Sequence, residues 1–351
     1  MKNYGFGIIG CGMIAGFHSK AISELPNARI VAVSSRSEEN ARKVAEPCCA
    51  EIHTDYSDLL SRDDVDIVCI CSPSGAHLEP AVAAAKAGKH VVVEKPLEIT
   101  LERCDQIIAA CKEAGVQLVT IFPSRFTDAS QLLRKAMDGG RFGRLTLGDA
   151  YIKWWRSQEY YDSGGWRGTW ELDGGGALMN QSIHAIDLLQ WMMGPVDSIV
   201  AFTDTLSHER IEVEDTAVVA LKFKSGALGV IEGTTSVYPG FLKRIEISGT
   251  TGSIVMEEED ITKWEFTEMT SDDEKIQKEF MGKTSTGGGA ADPSAIGHEM
   301  HRRQLADLLD ALDSGRSPLI DGSEGRKAVE IILGVYESSK TGRAVKLPLK
   351  S

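Results

Sequence analysis

The chain of 351 residues has no excess of basic side chains: 38 lysines and arginines stand against 51 acidic residues, a formal net charge of −13. That balance excludes a nucleic-acid binder, which needs a basic face to displace counterions from phosphates, and gives no reason for adhesion to anionic membranes. No uncharged stretch approaches the ~20 residues of a membrane-spanning helix. The opening Met1-Lys2-Asn3-Tyr4-Gly5 passes directly into a strand-like run, without the apolar segment of a secretion signal. CxxC pairs are missing as well. The seven cysteines (Cys11, Cys48, Cys49, Cys69, Cys71, Cys104 and Cys111) lie in the first third of the chain, mostly inside apolar runs. A reduced thiol there behaves as a small core residue, so the reading is no metal centre and a reducing cytoplasm. The apolar fraction of 42% and charged fraction of 25% are those of an ordinary globular chain. The length suggests two domains.

From residue 4 to about 121, short apolar runs alternate with amphipathic stretches. Strands are expected at Tyr4–Gly10, Arg29–Ser35, Asp66–Cys71, His90–Glu94 and Gln117–Ile121, and helices at Ile14–Glu24, Glu38–Ala45, Ala76–Ala87 and Leu101–Ala114. Val/Ile-rich strands separated by single helices predict a doubly wound parallel sheet covered on both faces. The pattern then changes. A polar, aromatic stretch from Tyr151 to Trp170 precedes Gly174–Gly176 and a helix to about Met193. Alternating strands follow from Val196 to Thr267, predicting a large, mostly antiparallel open sheet. Thr270–Pro293, with Gly287-Gly288-Gly289, reads as a polar loop, and helices are expected at Ser294–Ser314 and Gly322–Ser339. The fold class is therefore α/β, a nucleotide domain over 1–122 and an α+β domain over 123–351 whose C-terminal helix could pack back on the first.

The first strand ends in Gly10-Cys11-Gly12-Met13-Ile14-Ala15, the G-x-G-x-x-A form of the dinucleotide fingerprint. Gly10 permits the tight turn, Gly12 lets a pyrophosphate approach the backbone, and Ala15 lets the helix pack closely. Phosphate would sit at the positive end of the helix, against Gly12, Met13 and Ile14. The second strand ends in Ser34-Ser35-Arg36-Ser37, without the acidic residue that usually binds the ribose 2′-hydroxyl of NAD. Ser35 and Arg36 suit a 2′-phosphate instead, which favours NADP over NAD.

Val91-Val92-Val93-Glu94-Lys95-Pro96 places Lys95 at the carboxyl end of a sheet strand, where ligands of open α/β sheets bind. Taken together, GIIGCGMIA, CSPSGAH, GKHVVVEKPLEIT and GGGALMNQSIHAID resemble the glucose–fructose oxidoreductase/inositol dehydrogenase/rhizopine-catabolism (Gfo/Idh/MocA) family over nearly the whole chain. The resemblance implies a Rossmann domain, then an α/β domain whose open sheet often mediates oligomerisation, here a dimer or tetramer. It also implies nicotinamide-dependent redox chemistry at a secondary alcohol of a sugar. By position, Lys95 matches the family's active-site lysine and His184 its acid/base. Ser72, Pro73 and His77 match the segment beside the nicotinamide, with Glu94 next to Lys95 in the same cofactor-binding group. The chemistry agrees: hydride leaves a carbinol carbon only as the hydroxyl proton is drawn off, a task for a base poised near neutrality, and an ammonium stabilises the alkoxide. The chain departs from the family pattern at Asn180, where Asp is common four residues before the histidine. Asn180 can orient His184 but brings no charge, which predicts a less basic imidazole, with Asp187 a turn further as a partial substitute. The Asn-Gln-x-x-His form resembles the branch acting on C3 of nucleotide sugars or related glycosides.

Four of the six tryptophans fall between Trp154 and Trp170, interleaved with Tyr160, Tyr161, Arg156 and Arg167. Trp155, Arg156, Trp166 and Arg167 are candidates for holding a polyol ring, against the alternative that some of these rings fill a core. Arg125 is a further substrate candidate, against a buried ion pair. Two other functions stay open: a glycosidase-like enzyme that recycles its cofactor, and a non-catalytic sensor on the same scaffold.

Overall fold

Apolar runs rich in Val and Ile bury both faces of a strand, and such runs supply five of the six strands of the first sheet. The computed structural model describes residues 2–281 and 297–349, which fall into two units: Met1–Pro123 with Gly297–Val329, and Ser124–Ile296 with Glu330–Ser351.

In the first unit the chain runs β1 (Tyr4–Ile9), α1 (Met13–Ser23), β2 (Ala28–Ser34), α2 (Glu38–Ala45), β3 (Glu51–His53), α3 (Tyr56–Leu60), β4 (Ile67–Ile70), α4 (Leu78–Lys86), β5 (His90–Val93), α5 (Leu101–Ala114) and β6 (Leu118–Thr120). The sheet order is β3-β2-β1-β4-β5-β6 and every pairing is parallel. This is the doubly wound order, with its switch point between β1 and β4. The expected strands and helices are present. The short β3 and α3 were not anticipated, because three and five residues are too few to show a hydrophobic period. The chain returns to this unit as α10 (Glu299–Ser314), whose Leu305, Leu308 and Leu309 join Phe6, Ile8, Ile22 and Ile67 in one core.

The second unit contains α6 (Asp128–Asp138), β7 (Leu145–Lys153), α7 (Gln158–Asp162), α8 (Ile183–Met193), β8 (Val196–Asp204), β9 (Thr216–Phe223), β10 (Leu228–Thr234), β11 (Arg244–Gly249), β12 (Gly252–Glu257), β13 (Asp260–Phe266) and α9 (Ser271–Phe280). After α11 (Gly322–Thr341), β14 (Val345–Lys346) completes an eight-stranded sheet in the order β13-β12-β11-β7-β10-β9-β8-β14. It is antiparallel except where β10 pairs with β7. β9 alternates strictly between buried and exposed residues, as a sheet with one covered face requires.

Two expectations change here. β7 begins inside a stretch the sequence left unassigned. Gly148 and Asp149 depress its strand propensity, yet both fit: a Cβ on Gly148 would lie 2.5 Å from Met193, and buried Asp149 accepts the Val230 N–H at 2.9 Å. The first part of the expected 270–293 loop is helix α9. Its capping box joins Thr270 and Asp273: the Thr270 hydroxyl accepts the Asp273 N–H, while the Asp273 carboxylate accepts the Thr270 N–H. The glycines at 287–289 and the start expected for the next helix at 294 lie outside the described residues.

Candidate active site

The fingerprint turn follows β1 directly. Gly10 has φ +90°, and a Cβ there would sit 2.7 Å from the backbone of Cys71 and Ser72, so only glycine fits this crossing of β1 and β4. At Gly12 a Cβ would meet no protein atom within 4 Å. Gly12 also provides the N-cap of α1 without any side-chain cap, which leaves the first-turn N–H groups of Met13 and Ile14 for an anion. Met13 is exposed beside them. After β2, the Ser35 hydroxyl accepts the Ser37 N–H at 3.2 Å, Ser37 caps α2, and Arg36 is exposed. The open space at Gly12, the uncapped helix start and an acid-free β2 end fit a dinucleotide.

Lys95 is half-buried and follows β5, two strands along the sheet from β1. Its neighbours are fastened on both sides. Glu94, expected beside the cofactor, turns its side chain into the protein. One carboxylate oxygen lies 2.8 Å from His18 Nε2 and 3.6 Å from His301 Nε2, and the other accepts the Lys95 N–H at 3.1 Å. Burial opposes ionisation of Glu94, but His18 and His301 hold its carboxyl well below the usual range. His77 is equally buried. Its Nδ1 lies 2.9 Å from the Pro96 carbonyl and its Nε2 3.0 Å from the Ser72 carbonyl, so it joins the turn after β4 to the turn after β5. Pro73 opens that first turn, which closes when Ala76 N–H donates to Pro73 O and the Ser72 hydroxyl to Ala76 O. The ligand atoms of His18, Glu94 and His301 lie within 4.8 Å of one another. The sequence reading missed both histidines; a lone polar residue on the apolar face Ala15–His18–Ile22 of α1 was the available signal.

In the second unit, residues Ala177–Ser182 form a wide π-type turn that leads into α8 and carries Asn180, with His184 in the first turn of α8. Such insertions concentrate at functional sites. Gly176 must be glycine, since a Cβ would lie 1.7 Å from the Glu214 carbonyl oxygen. The buried Glu214 carboxylate receives the N–H groups of Gly176 and Leu178 and the Tyr336 hydroxyl. Burial pushes Glu214 up to about 7 against these donors. Asn180 donates its amide to Asp173 at 2.7 Å, and Asp173 also accepts the Gly168 N–H. The negative charge that Asn180 lacks is thus supplied one bond further on, by a buried acid that sequence spacing did not single out.

Asp187, expected as a partial substitute near His184, receives two hydrogen bonds from Arg125, at 2.8 and 2.6 Å. Arg125 is 1% exposed and stacks on Trp191. The ion-pair reading therefore replaces the substrate-contact reading for Arg125. Arg156 is also buried, between the rings of Trp154 and Tyr160. Arg167 lies half-buried between Tyr160 and Trp166, while Trp155 packs edge-on against Tyr238. Behind this layer His208 bridges Asp215 and the Arg156 carbonyl, at 3.0 and 2.8 Å. Burial disfavours the His208 imidazolium, but Asp215 raises its pKa overall.

Two family models match: the oxidoreductase family with an NAD-binding Rossmann fold over residues 4–122, and the GFO/IDH/MocA C-terminal domain over 130–255. The structure of the WlbA dehydrogenase from Bordetella pertussis, in complex with NADH and UDP-GlcNAcA, is 35% identical and covers 100% of this chain and 99% of its own, with a TM-score of 0.90. The chain belongs to the Gfo/Idh/MocA oxidoreductase family. A myo-inositol 2-dehydrogenase of Thermotoga maritima is 29% identical over 97% of this chain and 98% of its own. A levoglucosan dehydrogenase of Pseudarthrobacter phenanthrenivorans is 28% identical over 73% and 74%. Among the described residues, no helix of this family member is long and apolar enough to cross a membrane.

The Arg125–Asp187 pair gives a direct stability test. Asp187→Ala leaves a guanidinium buried without its carboxylate and should lower the unfolding free energy by about 3–5 kcal/mol, read from urea midpoints. A loss below about 1 kcal/mol, the worth of an exposed pair, would contradict this account.

Proposed function

We propose that the protein moves a hydride between C4 of a nicotinamide cofactor and a secondary carbinol or ketone of a sugar, glycoside or nucleotide sugar. One observation carries this reading: the anion-ready turn at Gly10–Met13 and the fastened Lys95 crest the same parallel sheet, after β1 and β5. Family membership and whole-chain similarity to a nucleotide-sugar dehydrogenase support the substrate class. The nicotinamide, when bound, supplies the hydride acceptor or donor. His184 takes the hydroxyl proton, and Lys95 donates a hydrogen bond to the alkoxide oxygen as its charge grows. Asn180, tied to Asp173, orients the acid/base segment. Trp155, Trp166 and Arg167 present flat and cationic surface to the ring, which suits a substrate with an anionic substituent.

For the cofactor we favour NADP over NAD, on exposed Arg36 and the absence of an acid at the end of β2; the WlbA relative, by contrast, is described with NADH. We also infer a homo-oligomer joined through the outer face of the second sheet, where Phe202 is 77% exposed beside Val218, its cross-strand partner, and Val200, Leu228 and Leu147 continue the apolar surface. The seven cysteines are all unpaired, which suits a reducing cytoplasm.

The primary test is a panel of sugars, sugar acids, glycosides and nucleotide sugars, followed by reduced-nicotinamide absorbance with both cofactors. On the best substrate, His184→Ala should cut turnover by about 10²–10⁴, the usual worth of a positioned acid/base; a loss of less than about threefold would remove His184 from that role. Arg36→Ala should raise KM for NADPH far more than for NADH, and equal effects would reject the NADP preference. Phe202→Asp should shift the assembly toward monomer in light scattering, whereas an unchanged mass would place the interface elsewhere.

A further inference from the structure

Glu94 lies almost wholly inside the protein, and a buried carboxylate needs donors around it to persist. Two donate to it, His18 Nε2 from α1 at 2.8 Å and the backbone N–H of Lys95 at 3.1 Å, and His301 Nε2 from α10 stands 3.6 Å from the same oxygen as His18. The side chains of Glu94, His18 and His301 are at least nine-tenths buried, and the rings of His18 and His301 pack edge to face at 5.5 Å. On the far side of Lys95, His77 holds the Pro96 carbonyl. Cys71, the nearby thiol on the β4 side, has its pKa pushed up to about 11 by burial and is neutral at pH 7.

The same three side chains have the composition of a metal site, but charge and outer bonding favour a proton. A divalent cation on two neutral imidazoles and one carboxylate would leave a net positive charge buried, whereas one proton shared with the carboxylate leaves none. Metal-bound histidines also usually donate their second ring nitrogen to an acceptor. Here Nδ1 of His18 and Nδ1 of His301 have no hydrogen-bond partner.

We propose that His18 and His301 are positioning residues for Lys95: by holding the Glu94 carboxylate, they fix the peptide from which the lysine side chain projects. Without His18, Glu94 loses its closest donor and the rotamer that accepts the Lys95 N–H. The ammonium then strays from the oxygen it serves. The inference rests on the role proposed above for Lys95.

The test compares His18→Leu, which removes the donor, with His18→Gln, whose amide can present an N–H at similar reach. Misplacing a catalytic group by about 1 Å can cost up to roughly 100-fold, so His18→Leu should lose about 10- to 100-fold in kcat. The cofactor Kd from fluorescence titration should change much less. His18→Gln should recover most of the lost kcat. If His18→Leu does not fold, His301→Leu against His301→Gln should show the same split with a smaller drop. An unchanged kcat in a folded Leu variant, a loss that Gln does not restore, or a stoichiometric metal ion in elemental analysis of the purified protein would each overturn the proposal. Lys95→Met separates the two ideas. Full turnover in that variant would refute the role of the lysine itself, whereas an inactive Lys95→Met beside a fully active His18→Leu would refute only the clamp.

Discussion

A carboxylate withdrawn from water must be answered by hydrogen bonds, and this requirement organises the functional parts of both units. Glu94 ties α1, α10 and the Lys95 peptide to one point. Glu214 gathers the N–H groups that open the π-type turn. Asp173 links Gly168 to Asn180, Asp187 locks Arg125, and Asp215 collects the backbone N–H groups of residues 206–208. Each acid holds an irregular segment that neither helix nor sheet bonding could fix. The regular elements set the scaffold, and these buried acids set the loops.

Legibility followed the range of the interaction. The strands of the first sheet were readable because each is a local apolar run, and the cofactor turn because its glycines serve adjacent backbone. The position of Lys95 directly after β5 was readable from the apolar run that precedes it. What escaped was long-range: Glu94 meets His18 and His301 only after folding, and Arg125 finds Asp187 across 62 positions. Within the stretch dense in arginine and tryptophan, the stacking of Arg156 between Trp154 and Tyr160 was equally unreadable, because a guanidinium face serves aromatic rings as well as ligands. Helix α9 carried a readable signal in Thr270 and Asp273. The glycine-rich stretch that follows masked it.

Membership of an oxidoreductase family and a nucleotide-binding turn set the class of chemistry, while the substrate depends on side chains that families vary freely. In this chain the stretch from Trp154 to Trp170 is aromatic and cationic. His208 fastens it from Asp215 to the Arg156 carbonyl.

The return of the chain to its first unit bears on how the molecule is made. Strands β1 to β6 precede the second unit in the chain, yet the leucines of α10 that complete their core follow most of it. The nascent sheet therefore keeps an open apolar flank until α10 has been made, with Ser124–Ile296 of the second unit synthesised in between. A segment that stops before α10 leaves that core without Leu305, Leu308 and Leu309.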